Sequence, residues 1–130
     1  MSTSYAIIIE EYAKRHYIKN FEKKYKGAWD VTLCAIIEEL KRFDSLLNTS
    51  IVETISTIGD MRICKTEFRV HGTKESKKLS GNRCIVAVNT KTSTVHILLV
   101  YNKNDFGDGN ETSQWKTMVR KNYPTYKDLR

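Results

Sequence analysis

The sequence predicts an α+β fold: a twisted antiparallel sheet of about four strands, an N-terminal helix pair packed on one face, and an extra C-terminal helix. Three observations predict it. Apolar residues first recur at helical spacing, then switch to strand alternation through the middle of the chain, and a last helical stretch follows a glycine-rich break. With 130 residues, 40% of them hydrophobic and 28% charged, the chain reads as one domain able to bury its own core.

Residues 5–11 are short and rich in β-branched side chains, a first strand. From Tyr12 to Tyr25 the apolar residues Ala13, Tyr17, Ile18, Phe21 and Tyr25 keep helical spacing, with Lys14, Arg15, Lys19, Lys23 and Lys24 around the remaining surface. Gly27 breaks that run, and Asp30 is placed to cap a second helix with the stripe Leu33, Ile36, Ile37, Leu40 and Phe43. Residues 44–59 keep no clean period. Leu46, Leu47, Ile51, Val52 and Ile55 make them too apolar for a free linker, so they are expected along the domain edge.

Residues 61–70, 83–88 and 95–101 alternate as strands, and Lys91-Thr92-Ser93 supplies a tight turn between the last two. The loop 72–81 between the first two carries Lys74, Lys77 and Lys78 and is bracketed by Gly72 and Gly81. After the breaker Asp105-Phe106-Gly107-Asp108-Gly109, Asn110 caps a helix from Glu111 to about Asn122. Glu111 sits at its positive end and Arg120-Lys121 at its negative end. Trp115, Met118 and Val119 give it an apolar face for docking, and Pro124 stops it.

The net charge of +7 points to a polyanionic partner, either nucleic acid or an acidic protein. Cys34, Cys64 and Cys84 form no C-x-x-C pair and read as buried small hydrophobes in a reducing cytosol. His16, His71 and His96 lack ligand spacing, so no metal site is expected. The apolar run Ala6-Ile7-Ile8-Ile9 is broken by Glu10-Glu11 and has no basic segment before it, which reads as neither a signal peptide nor a membrane span. A cytoplasmic protein is expected.

The chemistry concentrates on one extended stretch. Alternation sends Lys65, Glu67, Arg69 and His71 to one face and Cys64, Thr66, Phe68 and Val70 to the other. Later strands bring Arg83, Tyr101 and Lys103 toward the charged face. Each has a plainer reading. Glu67 can be a salt-bridge partner of Lys65, Arg69 or Arg83, and Tyr101 a tyrosine at the core edge. Lys74, Lys77 and Lys78 can be nonspecific phosphate contacts or a solvated loop.

The order of elements, the strand Lys65–Arg69, the Gly81-Asn82-Arg83 step and the run Leu98-Leu99-Val100-Tyr101-Asn102-Lys103 resemble the RelE/ParE superfamily of small toxins. The nearer branch is the RelE-like mRNA interferases. The resemblance covers about residues 5–103 and leaves 110–126 as a C-terminal helical extension of a single 1–130 domain. It implies a RelE-like fold and the toxin of a type II toxin–antitoxin module, held by a cognate antitoxin. It also implies ribosome-dependent cleavage of mRNA by 2′-OH attack on the phosphate, without a cofactor, and so inhibition of translation. Such cleavage requires a base for the 2′-OH, a grip on the phosphate, neutralisation of its oxygens and a proton for the 5′-oxygen. Arg83 and Arg69 suit the phosphate, because a guanidinium fork matches its oxygens and stays charged. Glu67 or Lys65 would serve as base, and Lys103, Tyr101 or His71 as proton donor. Lys65 matches the family's first strand lysine, Arg69 a further basic position, Arg83 the arginine after the loop glycine, and Lys103 the basic residue past the last strand. Glu67 stands where the family has its second strand lysine, and Tyr101 stands in for a tyrosine some members carry near the C-terminus. Two alternatives stay open beside the nuclease: a ParE-like inhibitor of DNA gyrase, and a member that binds RNA or its partner without cutting.

Overall fold

Five strands form one mixed sheet in the order β1-β5-β4-β3-β2 in a computed structural model that describes residues 4–107 and 109–130. β1 (Ala6–Ile9) lies parallel to β5 (Thr94–Asn102), while β4 (Asn82–Asn89), β3 (Met61–Phe68) and β2 (Val52–Ile58) follow antiparallel. The expected antiparallel sheet of about four strands therefore gains a fifth and becomes mixed. The additional strand is β2, in the stretch read only as domain edge. A register shift between Thr54 and Ser56 breaks its period of two, which hides it in the sequence.

Helix α1 spans residues 11–24 and carries a π-helical stretch at Lys14–Ile18. Gly27, at φ 81°, turns the chain into α2 (Ala28–Lys41) and takes the capping position itself, so Asp30 sits within the first turn. The short α3 (Phe43–Leu46) leads to the sheet edge. Within the lysine loop, Ser76 caps α4 (Lys77–Ser80) by accepting from Leu79 N–H at 3.2 Å. β5 runs into a 3₁₀ turn, Lys103–Phe106, and α5 (Glu111–Asn122) starts at Asn110, whose side chain accepts from Ser113 N–H at 3.0 Å.

Helices close both faces of the sheet. On one, Phe21, Trp29, Ile36, Leu40 and Phe43 pack against Cys64, Phe68, Cys84, Val86, Val88 and Ile97. On the other, Trp115 and Val119 of α5, with Tyr123, Tyr126 and Leu129 beyond it, pack against Ile63, Ile85, Ala87, Leu99 and Tyr101. Residues 83–88 are all buried, the signature of a central strand covered on both sides rather than a half-exposed one. Both tryptophans are core anchors, 1% and 0% exposed for Trp29 and Trp115. Cys64 and Cys84 are buried as expected, whereas Cys34 is exposed on α2.

Candidate functional site

The antiparallel register collects the end of β3, the start of β4 and the end of β5 at one end of the sheet. Glu67 stands opposite Arg83, and Arg83 opposite Tyr101, so three of the residues singled out form one row across three strands. Lys65 lies two residues back along β3, on the same face.

Arg83 is 8% exposed. Its Nη1 donates to the Asn82 carbonyl at 3.0 Å and its Nη2 to the Lys78 carbonyl at 3.2 Å, so the lysine loop is strapped over it. Nη1 also stands 3.6 Å from Glu67 Oε2, an oxygen that is buried and accepts no hydrogen bond from the described residues. The ion pair is thus a close approach of charges without a directed bond. Lys65 Nζ lies 3.7 Å from Glu53 Oε2 on the neighbouring β2.

Tyr101 is fully buried, edge-on to Phe106 with ring centres 4.7 Å apart. Its hydroxyl donates to Glu111 Oε2 at 2.6 Å. Burial first, then the Glu111 carboxylate that needs the proton, push this phenol far above its ordinary value. Glu111 had been readable as a first-turn acid of α5; its role as the acceptor over Tyr101 depends on how α5 docks, and no local signal in the sequence carries it.

Lys103 is exposed in the 3₁₀ turn, where its backbone N–H donates to the Gly81 carbonyl at 2.8 Å. Gly81, at φ 77°, leaves room for this chain crossing: a Cβ there would lie 3.2 Å from Lys103 Cγ. Among the described residues, no group of three or more His, Cys, Asp or Glu side chains is placed to hold a metal ion, and no helix is long and apolar enough to cross a membrane.

No family model matches the sequence, and no curated protein matches it. Among solved structures, a chain of the archaeal RelE–RelB complex from Pyrococcus horikoshii OT3 matches with a TM-score of 0.54 at 16% identity, over 82% of this chain and 100% of that one. The fold is RelE-like. On this RelE-like sheet, the continuous charged face expected from Lys65 to His71 stops at Phe68, where β3 ends. Arg69 and His71 lie beyond it, exposed, and with Lys77 line a cleft of about 540 Å³ against Thr32 and Glu39 of α2. The cause is local: Thr73 N–H and Oγ1 both donate to the Val70 carbonyl, which turns the chain, and His71 N–H donates to Thr32 Oγ1 at 2.8 Å. Lys77 pairs with Glu39, whereas Lys74 and Lys78 are exposed. The RelE-like sheet end therefore presents a closed Glu67–Arg83–Tyr101 row with exposed Lys78 and Lys103 beside it, while Arg69 and His71 turn away to the α2 cleft.

Proposed function

We propose that this chain is the toxin of a toxin–antitoxin pair and that it inhibits translation as a ribosome-dependent, metal-independent mRNA endoribonuclease. The observation that carries the reading is the Arg83–Glu67 pair at the end of a RelE-like sheet, beneath a loop of lysines. A net charge of +7 suits ribosomal RNA and message as partners. The solved RelE–RelB complex supports a cognate antitoxin as the protein partner, and action on ribosomes places the chain in the cytoplasm.

In this reading Arg83 grips the non-bridging oxygens of the scissile phosphate with N–H donors not committed to the two carbonyls. Glu67 takes the proton of the 2′-OH, and that oxygen attacks phosphorus. Since Glu67 Oε2 accepts no hydrogen bond from the described residues, it gives up none of these when it turns from Arg83 to the hydroxyl. The bond to the 5′-oxygen breaks, leaving a 2′,3′-cyclic phosphate, and the leaving oxygen takes a proton from a cation at the rim; exposed Lys103 has the access that buried Tyr101 lacks. Lys65 holds the phosphate side of the row, and Arg69, His71, Lys74, Lys77 and Lys78 contact the backbone of the RNA.

A second reading, binding without cleavage, is favoured by the same closure: Arg83 is satisfied inside the protein and Tyr101 is sealed by Glu111. Mapping the 5′ ends of a defined mRNA in a cell-free translation extract separates the two. The nuclease gives cuts within translated codons that vanish when ribosome assembly is blocked. Arg83→Ala and Glu67→Ala, checked for folding by thermal melts, should each slow cutting by roughly 10²–10³-fold. Intact mRNA in the presence of folded wild-type protein overturns the nuclease, and binding of RNA by that same protein then carries the binding reading.

A further inference from the structure

The C-terminal half of α1 takes no part in the proposed chemistry, yet it is strongly cationic. Lys19, Lys23, Lys24 and the following Lys26 are all exposed, and none is ion-paired among the described residues. Beneath it opens a cavity of about 300 Å³ whose walls include Lys24, Tyr25, Asn82, Asn102 and Asp105.

These walls carry unspent hydrogen-bonding capacity. Asn82 is only 4% exposed, and its Oδ1 accepts from Asn102 Nδ2 at 2.9 Å, while its own amide nitrogen has no acceptor among the described residues. Asp105 accepts from Asn102 N–H through Oδ2 at 3.0 Å, and its other oxygen stays free of the described residues. Tyr25 is half-buried, with Lys24 Nζ 5.3 Å from its ring centre. An amide donor, a carboxylate acceptor, an aromatic face and a cation thus border one small space. An acidic peptide would set its carboxylates against Asp105. An unstacked nucleobase uses all four groups, with its edge on Asn82 and Asp105 and its face on Tyr25, Lys24 swinging from over that ring to the phosphate.

The position agrees. Asn82 directly precedes Arg83 and Asn102 directly follows Tyr101, so alternation puts the cavity on the helix side of the same sheet end that carries the Arg83–Glu67 pair on its other side. We propose that this cavity is a subsite for one base of single-stranded RNA, with the backbone running over Lys19, Lys23 and Lys24 toward Arg83. The inference rests on RNA being the ligand but not on its being cut.

The test is titration of a short fluorescein-labelled single-stranded RNA with the full chain, without ribosomes, followed by anisotropy. Tyr25→Leu, which keeps apolar volume and removes the aromatic face, should weaken binding about tenfold. The Lys23→Ala/Lys24→Ala pair should flatten the salt dependence. Lys121→Ala, an exposed cation on α5, should bind as wild type. Thermal melts confirm that each variant is folded. No RNA binding by the wild type, or equal binding by wild type and folded Tyr25→Leu, overturns the subsite. Loss of cutting on ribosomes with this binding pattern intact overturns the proposed activity alone.

Discussion

The two faces of the sheet are closed by different physics. On the helix-pair side, Cys64, Cys84, Val86, Val88 and Ile97 meet Phe21, Trp29 and Phe43, so area burial and dispersion dominate. On the tail side the contacts are studded with tyrosines whose hydroxyls are committed: Tyr101 to Glu111, Tyr123 to the Leu98 carbonyl at 2.6 Å, and Tyr17 to Met118 Sδ at 3.1 Å. The first kind of interface tolerates apolar swaps that conserve volume, while the second also demands that each buried polar atom keep its partner. The candidate phosphate grip, Arg83, lies at the end of the second face, where polar matching already sets the structure.

The largest test of that contrast removes the tail. Ending the chain before Asn110 takes away Trp115, Val119, Tyr123, Tyr126 and Leu129, all buried. At roughly 1.5–3 kcal/mol for each large apolar side chain, the loss is on the order of 10 kcal/mol. That matches the whole stability of an ordinary domain, about 5–15 kcal/mol. The truncated chain should lose cooperative thermal unfolding altogether, a larger effect than the mere lowering of Tm expected for an appended helix. A sharp melt close to that of the full chain would show that the tail face closes without its helix.

Alkaline pH probes both faces more gently. Burial and the hydrogen bond to Asp44 push Tyr5 from 10.0 to about 12, and burial pushes Cys84 from 9.0 to about 12. Tyr17, Tyr101 and Tyr123 on the tail side are raised as well, mainly by burial. The fold holds these groups protonated, while the unfolded chain ionises them near their ordinary values. Their contribution is therefore fully present below about pH 9 and is lost as pH rises from there toward 12. Melting temperatures should stay level up to about pH 9 and then fall steeply. A level Tm up to about pH 11 would mean that the committed hydroxyls leave the stability of the tail face unchanged.

How legible these features are from residues alone follows from how local their causes are. α5 was readable to its first residue because Asn110 and Pro124 punctuate it within the sequence. β4 and β5 were readable because continuous apolar runs flank a tight turn. β2 was not, since its bulge scrambles alternation, and β1's parallel place beside β5 depends on a contact some ninety residues away. The gathering of Glu67, Arg83 and Tyr101 was legible because antiparallel pairing through two successive connections, the 69–81 loop and the 90–93 turn, fixes it. Arg69 and His71 were misplaced because alternation was carried past a turn made by Thr73. The sealing of Tyr101 needed the docking of α5 onto the far face, which no spacing reveals.

Tyr101→Phe produces the smallest expected change and divides structure from chemistry most finely. It keeps the ring against Phe106 and removes only the hydroxyl. Glu111 is half-buried, so water can replace the lost donor, and the cost in stability should be about 1 kcal/mol. If Tyr101 acts only as a polar tie between β5 and α5, mRNA cutting in the translation extract should continue at the wild-type rate. If cutting instead falls by orders of magnitude while Tm moves by only a few degrees, the hydroxyl reaches substrate. Because Glu111 and Phe106 cover it at rest, that result would require the start of α5 and the 3₁₀ turn to lift from the sheet when RNA binds. Hydrogen exchange across residues 103–113 with and without RNA would then show faster exchange in the bound state, where a purely structural tie predicts none.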